Sequence, residues 1–189
     1  MLVAFLAFLP ALDAGFVSWD DDSNLVDNPR FRGLGWGELR WMTTTTLMGH
    51  YIPLTWLSFA VNYRLSGMAP WGYHLGNLLL HAANAGAFYF VSRRLLEAAF
   101  GGGVAGAGRH VEADGVLSLG AAFAALAFAL HPLRVESVAW VTERRDVLCG
   151  FFYLLAALAY LRGVGDGGTI TRRGWALSLA NSCARFTCA

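Results

Sequence analysis

At 189 residues, 56% of them hydrophobic and only 14% charged, the chain is too apolar for an ordinary soluble domain, and its mean hydropathy of +0.46 points to a membrane protein. The formal net charge is +1, and all 14 basic residues are arginines dispersed along the chain, which excludes the aromatic-interleaved basic stripe of a nucleic-acid binder. Cys149 lies in an apolar run and Cys183 and Cys188 near the end, an odd count with neither zinc spacing nor a disulfide framework.

The N-terminal "MLVAFLAFLPAL" lacks a basic n-region and a small-residue cleavage site, so a retained helix is expected rather than a cleaved signal peptide. It is too short to span ~30 Å of hydrocarbon, and extending it through "DAGFV" buries Asp13, so the expected start lies further upstream. A long first loop follows, from about Ser18 to Pro70. It opens on Asp20, Asp21 and Asp22 and carries Trp36, Trp41, Trp56 and Tyr63 among polar residues, the composition of short helices lying at a membrane interface.

Between Arg64 and Arg93 no charged residue occurs, and "YHLGNLLLHAANAGAFYFV" from Tyr73 to Val91 is expected to cross a bilayer. After the Gly-rich linker "FGGGVAGAGRHVEADG" comes a second uncharged run, between Asp114 and Arg134, with Pro132 marking its exit. The tight loop "HPLRVESVAWVTERRD" leads to a third run, Val147 to Leu161, with Asp146 and Arg162 at opposite headgroup levels. The expected fold is therefore all-α and polytopic, with about four transmembrane helices and a long first external loop. Residues 1–173 form the membrane domain, and residues 174–189 are an atypical tail that reads as truncated. Alternating spans bring the first loop and the tight loop to one side of the membrane. The arginines crowd both sides, so the positive-inside rule does not fix orientation.

Several constellations carry chemistry. Asp20, Asp22 and Asn24 alternate as in a calcium loop, but Leu25 replaces the required glycine and Phe31 the bidentate glutamate, which excludes an EF-hand. The acidic cluster is then either a capped, solvated turn, with Asn28-Pro29 marking a further turn, or a general base held where a lipid-borne substrate meets water. Glu136, Glu143, Arg144, Arg145 and Asp146 are either headgroup chemistry or an arginine site for a phosphate leaving group. His74, Asn77, His81 and Asn84 recur at steps of three, four and three, one face of the first uncharged helix. That polar face serves interhelical hydrogen bonding or a substrate or proton path. His131, before Pro132, reads as a satisfied helix-end residue rather than a ligand.

The blocks "FVSWDDDSNLVDNPRFRGLGWGELRWM", "YIPLTWLSF", "PWGYHLGNLLLHAANA" and "HPLRVESVAWVTERRDVLCGFFYLLA" resemble, in order, those of bacterial relatives of the transmembrane and tetratricopeptide-repeat O-mannosyltransferases. The resemblance runs from about Phe16 to Leu161 and implies the N-terminal part of a C-type glycosyltransferase. It implies transfer of a sugar, mannose, from a polyprenyl-phosphate donor to a protein hydroxyl, in a bacterial inner membrane with the acidic loop facing the periplasm. It assigns the paired acidic motif to Asp20 and Asp21, one of them the catalytic base, and site roles to His131, Glu136, Arg144 and Asp146, with Arg144 binding phosphate. A divalent cation is left open, and no cofactor is otherwise implied. The relatives continue through further spans and a tetratricopeptide region, so this polypeptide by itself is expected to have an incomplete donor pocket. The alternatives are a noncatalytic membrane scaffold or a small transporter using the His74 to Asn84 face.

Overall fold

A computed structural model of the chain describes residues 1–100, 107–163 and 179–180. Among the described residues the protein is all-helical, without a strand. Seven α-helices have their bounds among the described residues: α1 (Leu2–Ala7), α2 (Trp36–Thr44), α3 (Pro53–Ser66), α4 (Pro70–Phe100), α5 (Ala107–Ala129), α6 (Arg134–Ala139) and α7 (Arg144–Gly163). The expected atypical tail, with Cys183 and Cys188, lies outside the described residues apart from Leu179 and Ala180.

The uncharged runs correspond to helices, because a run without charges or internal proline lets each residue add one backbone hydrogen bond at little cost. α4 is the axis. α5 returns antiparallel to it, since His81 meets Ala129 while Arg93 meets Asp114. α7 runs parallel to it, with Ala87 and Val91 packed against Leu154 and Leu158. α5 ends at Ala129, before the His131-Pro132 turn, as the ring of a proline requires.

The N-terminal segment departs from the expected single helix. α1 stops at Ala7, and Leu9–Asp13 is a 3₁₀ turn containing Pro10, whose missing N–H interrupts the α-helical ladder. The segment lies along α4 in reverse: Ala4 packs on Ala85, the Phe8 ring meets His81 edge-on at 5.1 Å, and Phe16 meets Tyr73 at 5.5 Å.

Among the described residues one helix, α7, is long and apolar enough to cross a membrane; Asp114–Ala129 within α5 is apolar but shorter. α4 has the length, but its histidines, asparagines and glycines dilute its apolarity, and its polar side chains face protein.

The first loop is a folded cap. Leu25, Phe31, Met42, Ile52, Trp56, Phe59 and Ala60 join Tyr73 of α4 and Val141 in one buried cluster. Trp36 stands exposed, as an interfacial aromatic would. Trp56 differs from the interfacial expectation: it is fully buried, stacked near Phe31 at 6.1 Å and tilted against Trp41 at 5.2 Å. A loop with this many apolar residues gains more by closing on itself than by presenting them all outward.

Candidate functional site

The acidic cluster forms a single tight turn. Asp20 and Asp21 lead into a π-helical turn, Asp22–Val26, closed by Asp27 N–H donating to Asp22 O at 2.8 Å. Asn28 caps the next turn, Pro29–Phe31, by accepting from Arg30 N–H at 3.0 Å. The three carboxylates point to different fates. Asp21 is 0% exposed, and both its oxygens are engaged: Oδ1 accepts from Thr142 N–H at 2.9 Å and Thr142 Oγ1 at 2.5 Å, and Oδ2 from Val17 N–H at 3.0 Å. Asp20 and Asp22 are half-buried and make none of the side-chain hydrogen bonds found among the described residues.

Thr142 belongs to the tight loop, so Asp21 ties the acidic turn directly to the arginine-bearing hairpin. Trp19 and Trp140 flank the junction with ring centroids 6.3 Å apart. Two of the three charge-assisted bonds on this buried carboxylate cross to the tight loop, and the third, from Val17, fixes the carboxylate within its own segment. Sequence reading brought the two loops to one side but did not find Thr142; its only signal was its place two residues before Arg144.

Arg144 lies inside the protein at 2% exposure. Its Nε donates to Asn77 Oδ1, Nη1 to Asn62 Oδ1 at 2.9 Å and weakly to Ser58 Oγ at 3.4 Å, and Nη2 to Tyr73 O at 2.7 Å, with Phe59 beneath it at 5.2 Å. No carboxylate among the described residues pairs with it. Gly76 lies against the guanidinium, and a Cβ there would overlap it. The guanidinium donors are thus turned to acceptors inside the protein. Asn62, Ser58 and Tyr73 were missed in the sequence; a glycine inside an uncharged helix, at Gly76, was the available hint of close approach.

The polar face of α4 has one consistent use. His74 Nε2 donates to Gly15 O at 3.3 Å, Asn77 Nδ2 to Val138 O and Trp140 O at 3.3 and 3.0 Å, His81 Nε2 to Ala129 O at 3.0 Å, and Asn84 Nδ2 to Val147 O at 2.8 Å. A carbonyl only accepts, so each ring nitrogen here carries its proton. Four buried side chains thus tether the N-terminal segment, the tight loop and the facing ends of α5 and α7. Interhelical bonds of this kind contribute about 1 kcal/mol each. Asn84→Ala is accordingly expected to lower stability by about 1 kcal/mol, read as a small drop in the thermal unfolding temperature of the detergent-solubilised chain.

The remaining predicted residues line the outer edge. Asp146 accepts from Ser137 Oγ at 2.5 Å and lies 3.8 Å from Arg134 Nη1. Arg134 sits over the Phe128 ring at 4.6 Å. Both border a cavity of about 240 Å³ that also touches His81, Asn84 and Gly150. Asn84 Oδ1 has no partner among the described residues. Glu136 is exposed, and His131 accepts through Nδ1 from Leu133 N–H at 3.3 Å, capping its own turn. Glu143 pairs with Arg145 at 2.7 Å. No group of three or more His, Cys, Asp or Glu among the described residues is arranged to hold a metal ion.

Comparison with known proteins adds the relationship. Over 176 residues, 88% of this chain and 23% of the relative, the chain is 35% identical to protein O-mannosyl-transferase TMTC4 of Mus musculus. Over 143 residues, 75% of this chain and 15% of the relative, it is 36% identical to protein O-mannosyl-transferase TMTC2 of Homo sapiens. Over 126 residues, 66% of this chain and 14% of the relative, it is 39% identical to protein O-mannosyl-transferase Tmtc3 of Drosophila melanogaster. No protein-family model matches the chain, and no solved structure matches it. The chain spans less than a quarter of the length of these curated relatives. Over most of its own length, it is related to proteins named as protein O-mannosyl-transferases.

Proposed function

We propose that the chain is the N-terminal part of a C-type membrane glycosyltransferase that moves mannose from a polyprenyl-phosphate donor to a protein hydroxyl. One observation carries the reading: Asp21, the chain neighbour of Asp20, is bonded to Thr142 of the tight loop, whose segment also carries Arg134 and Asp146 at the edge of a cavity. The names of the relatives supply the sugar and the acceptor class.

In this reading α1, α4, α5 and α7 lie in the membrane, and the cap and the tight loop share its outer aqueous face. In a bacterium that is the periplasmic face of the inner membrane. The acceptor hydroxyl attacks the anomeric carbon, Asp20 takes the proton, and the C–O bond to the lipid phosphate breaks. Arg134, at the cavity edge, replaces Arg144 as the cation for the departing phosphate. Asp21, Glu136 and Asp146 are positioning groups.

The test is transfer of radiolabelled mannose to a serine- and threonine-containing peptide by a protein of the relatives' length that carries this segment. Transfer from polyprenyl-phosphate mannose, and not from a nucleotide-mannose, is the expected result. Transfer from the nucleotide sugar alone would overturn the donor, and no transfer from either would favour a scaffold.

A further inference from the structure

The other ends of α4 and α7 carry a second polar cluster that the proposed chemistry does not use. Phe90, Arg93, Arg94, Glu97, Leu158 and Arg162 line a recess of about 300 Å³ between the two helices. Arg93 Nε donates to Glu97 Oε1 at 2.9 Å and its Nη2 to Asp114 Oδ1 of α5 at 2.7 Å, while Arg94 Nη1 lies 3.6 Å from Glu97 Oε2. Arg162 has no carboxylate within ion-pair reach among the described residues. Arg93 and Arg94 share Glu97, Arg93 also reaches Asp114, and Arg162 adds a third guanidinium, so three positive groups face two carboxylates and the recess is net positive.

Its depth is set by the helices. His74 and Arg93 lie nineteen positions apart in α4, about 28 Å at a rise of ~1.5 Å per residue, and Arg144 and Arg162 lie eighteen apart in α7, about 27 Å. Both distances match the ~30 Å hydrocarbon thickness, so both arginine sets reach the headgroup level opposite the candidate active site. Phe90 and Leu158 sit one turn nearer the hydrocarbon than the arginines, giving the recess an apolar floor and a basic rim. A single arginine at a helix end is ordinary snorkelling. Guanidinium groups converging from two helices on a recess match the headgroup-binding arrangement between membrane helices. α4 runs on to Phe100, so Arg93 and Arg94 are not at a negative helix terminus, and Arg162 offsets the last carbonyls of α7.

We propose that this recess binds the phosphate headgroup of an anionic membrane lipid in the leaflet opposite the candidate active site, the guanidinium forks engaging the phosphate oxygens. The proposal rests on the membrane placement given above. Its test uses the whole chain in bilayers of phosphatidylcholine containing phosphatidylglycerol, followed by mass spectrometry of lipids retained on the detergent-extracted protein. Preferential retention of phosphatidylglycerol is expected. Arg94→Gln combined with Arg162→Gln should lower that retention about twentyfold, from a several-fold loss per arginine. Glu97→Gln keeps the shape of the site, removes the competing carboxylate and should raise retention.

Equal retention of the two lipids, or a preference unmoved by either variant, would overturn the proposal. So would displacement of the lipid by equimolar inorganic phosphate, which would mark a free-anion site. Release of the chain by an alkaline wash would sink the membrane placement and the lipid site together, whereas firm insertion with equal retention sinks the lipid site alone.

Discussion

Asp20→Asn is expected to reduce sugar transfer by about 10²- to 10⁴-fold while leaving stability within about 0.5 kcal/mol of the parent. Asp21→Asn is expected to do something different. The buried carboxylate accepts three hydrogen bonds, from Thr142 N–H, Thr142 Oγ1 and Val17 N–H. An amide turns one of its two acceptor atoms into a donor facing a donor, so at least one buried partner loses its bond. Removing a charged acceptor at such a site costs about 2–3 kcal/mol. The chain would unfold at lower temperature, and transfer would fall because the acidic turn leaves the hairpin. Asp22→Asn is the control, with little effect on either readout. Thermal unfolding of the solubilised protein, measured beside transfer, separates the two roles. Equal destabilisation by Asp20→Asn and Asp21→Asn would remove the distinction.

The second large effect is expected at Arg144. A buried guanidinium without a carboxylate is tolerated only because Asn77, Asn62, Ser58 and Tyr73 O surround it with acceptors. Arg144→Leu leaves those oxygens unpaired and is expected to cost about 3–5 kcal/mol. Arg144→Lys should recover only part of this, because a point charge does not reproduce the planar fork. Gly76→Ala attacks the same site from the opposite side, placing a methyl group where the guanidinium lies, at a cost of about 1–3 kcal/mol. The two changes should be strongly non-additive: with leucine at position 144 the alanine has room, and most of its penalty disappears. Additive penalties in the unfolding data would contradict the contact.

Much of the helical layout was legible in the sequence because charge-free runs are long-range signals. The stretches from Tyr73 to Val91, from Asp114 to Ala129 and from Val147 to Leu161 fall within α4, α5 and α7 respectively. The polar row His74, Asn77, His81 and Asn84 was legible as a helical face from its spacing, but not its use. Which backbone carbonyls it reaches depends on tertiary packing. The N-terminal segment was read as a helix, and Pro10 stops it early. Trp56 and Trp36 look alike in sequence, yet one is core and the other surface, because periodicity in a loop of short helices does not say which face the loop closes upon. The residues alone left Arg144 open between headgroup chemistry and a phosphate site, and the family resemblance assigned it to phosphate. Its burial follows from Gly76, Asn77 and Asn62, which are distant in sequence and converge only in the fold.

The proposed site requires the acidic turn and the tight loop to meet on one face, and paired cysteines test that most directly. With Cys149, Cys183 and Cys188 replaced by serine, Trp19→Cys and Trp140→Cys should be joined by a short bifunctional thiol reagent in intact membranes, since the two indoles lie 6.3 Å apart. Rapid, near-complete joining within single chains, lost when Asp21→Asn is added, is the predicted result. No joining, with the two cysteines labelled from opposite sides of the membrane, would contradict it.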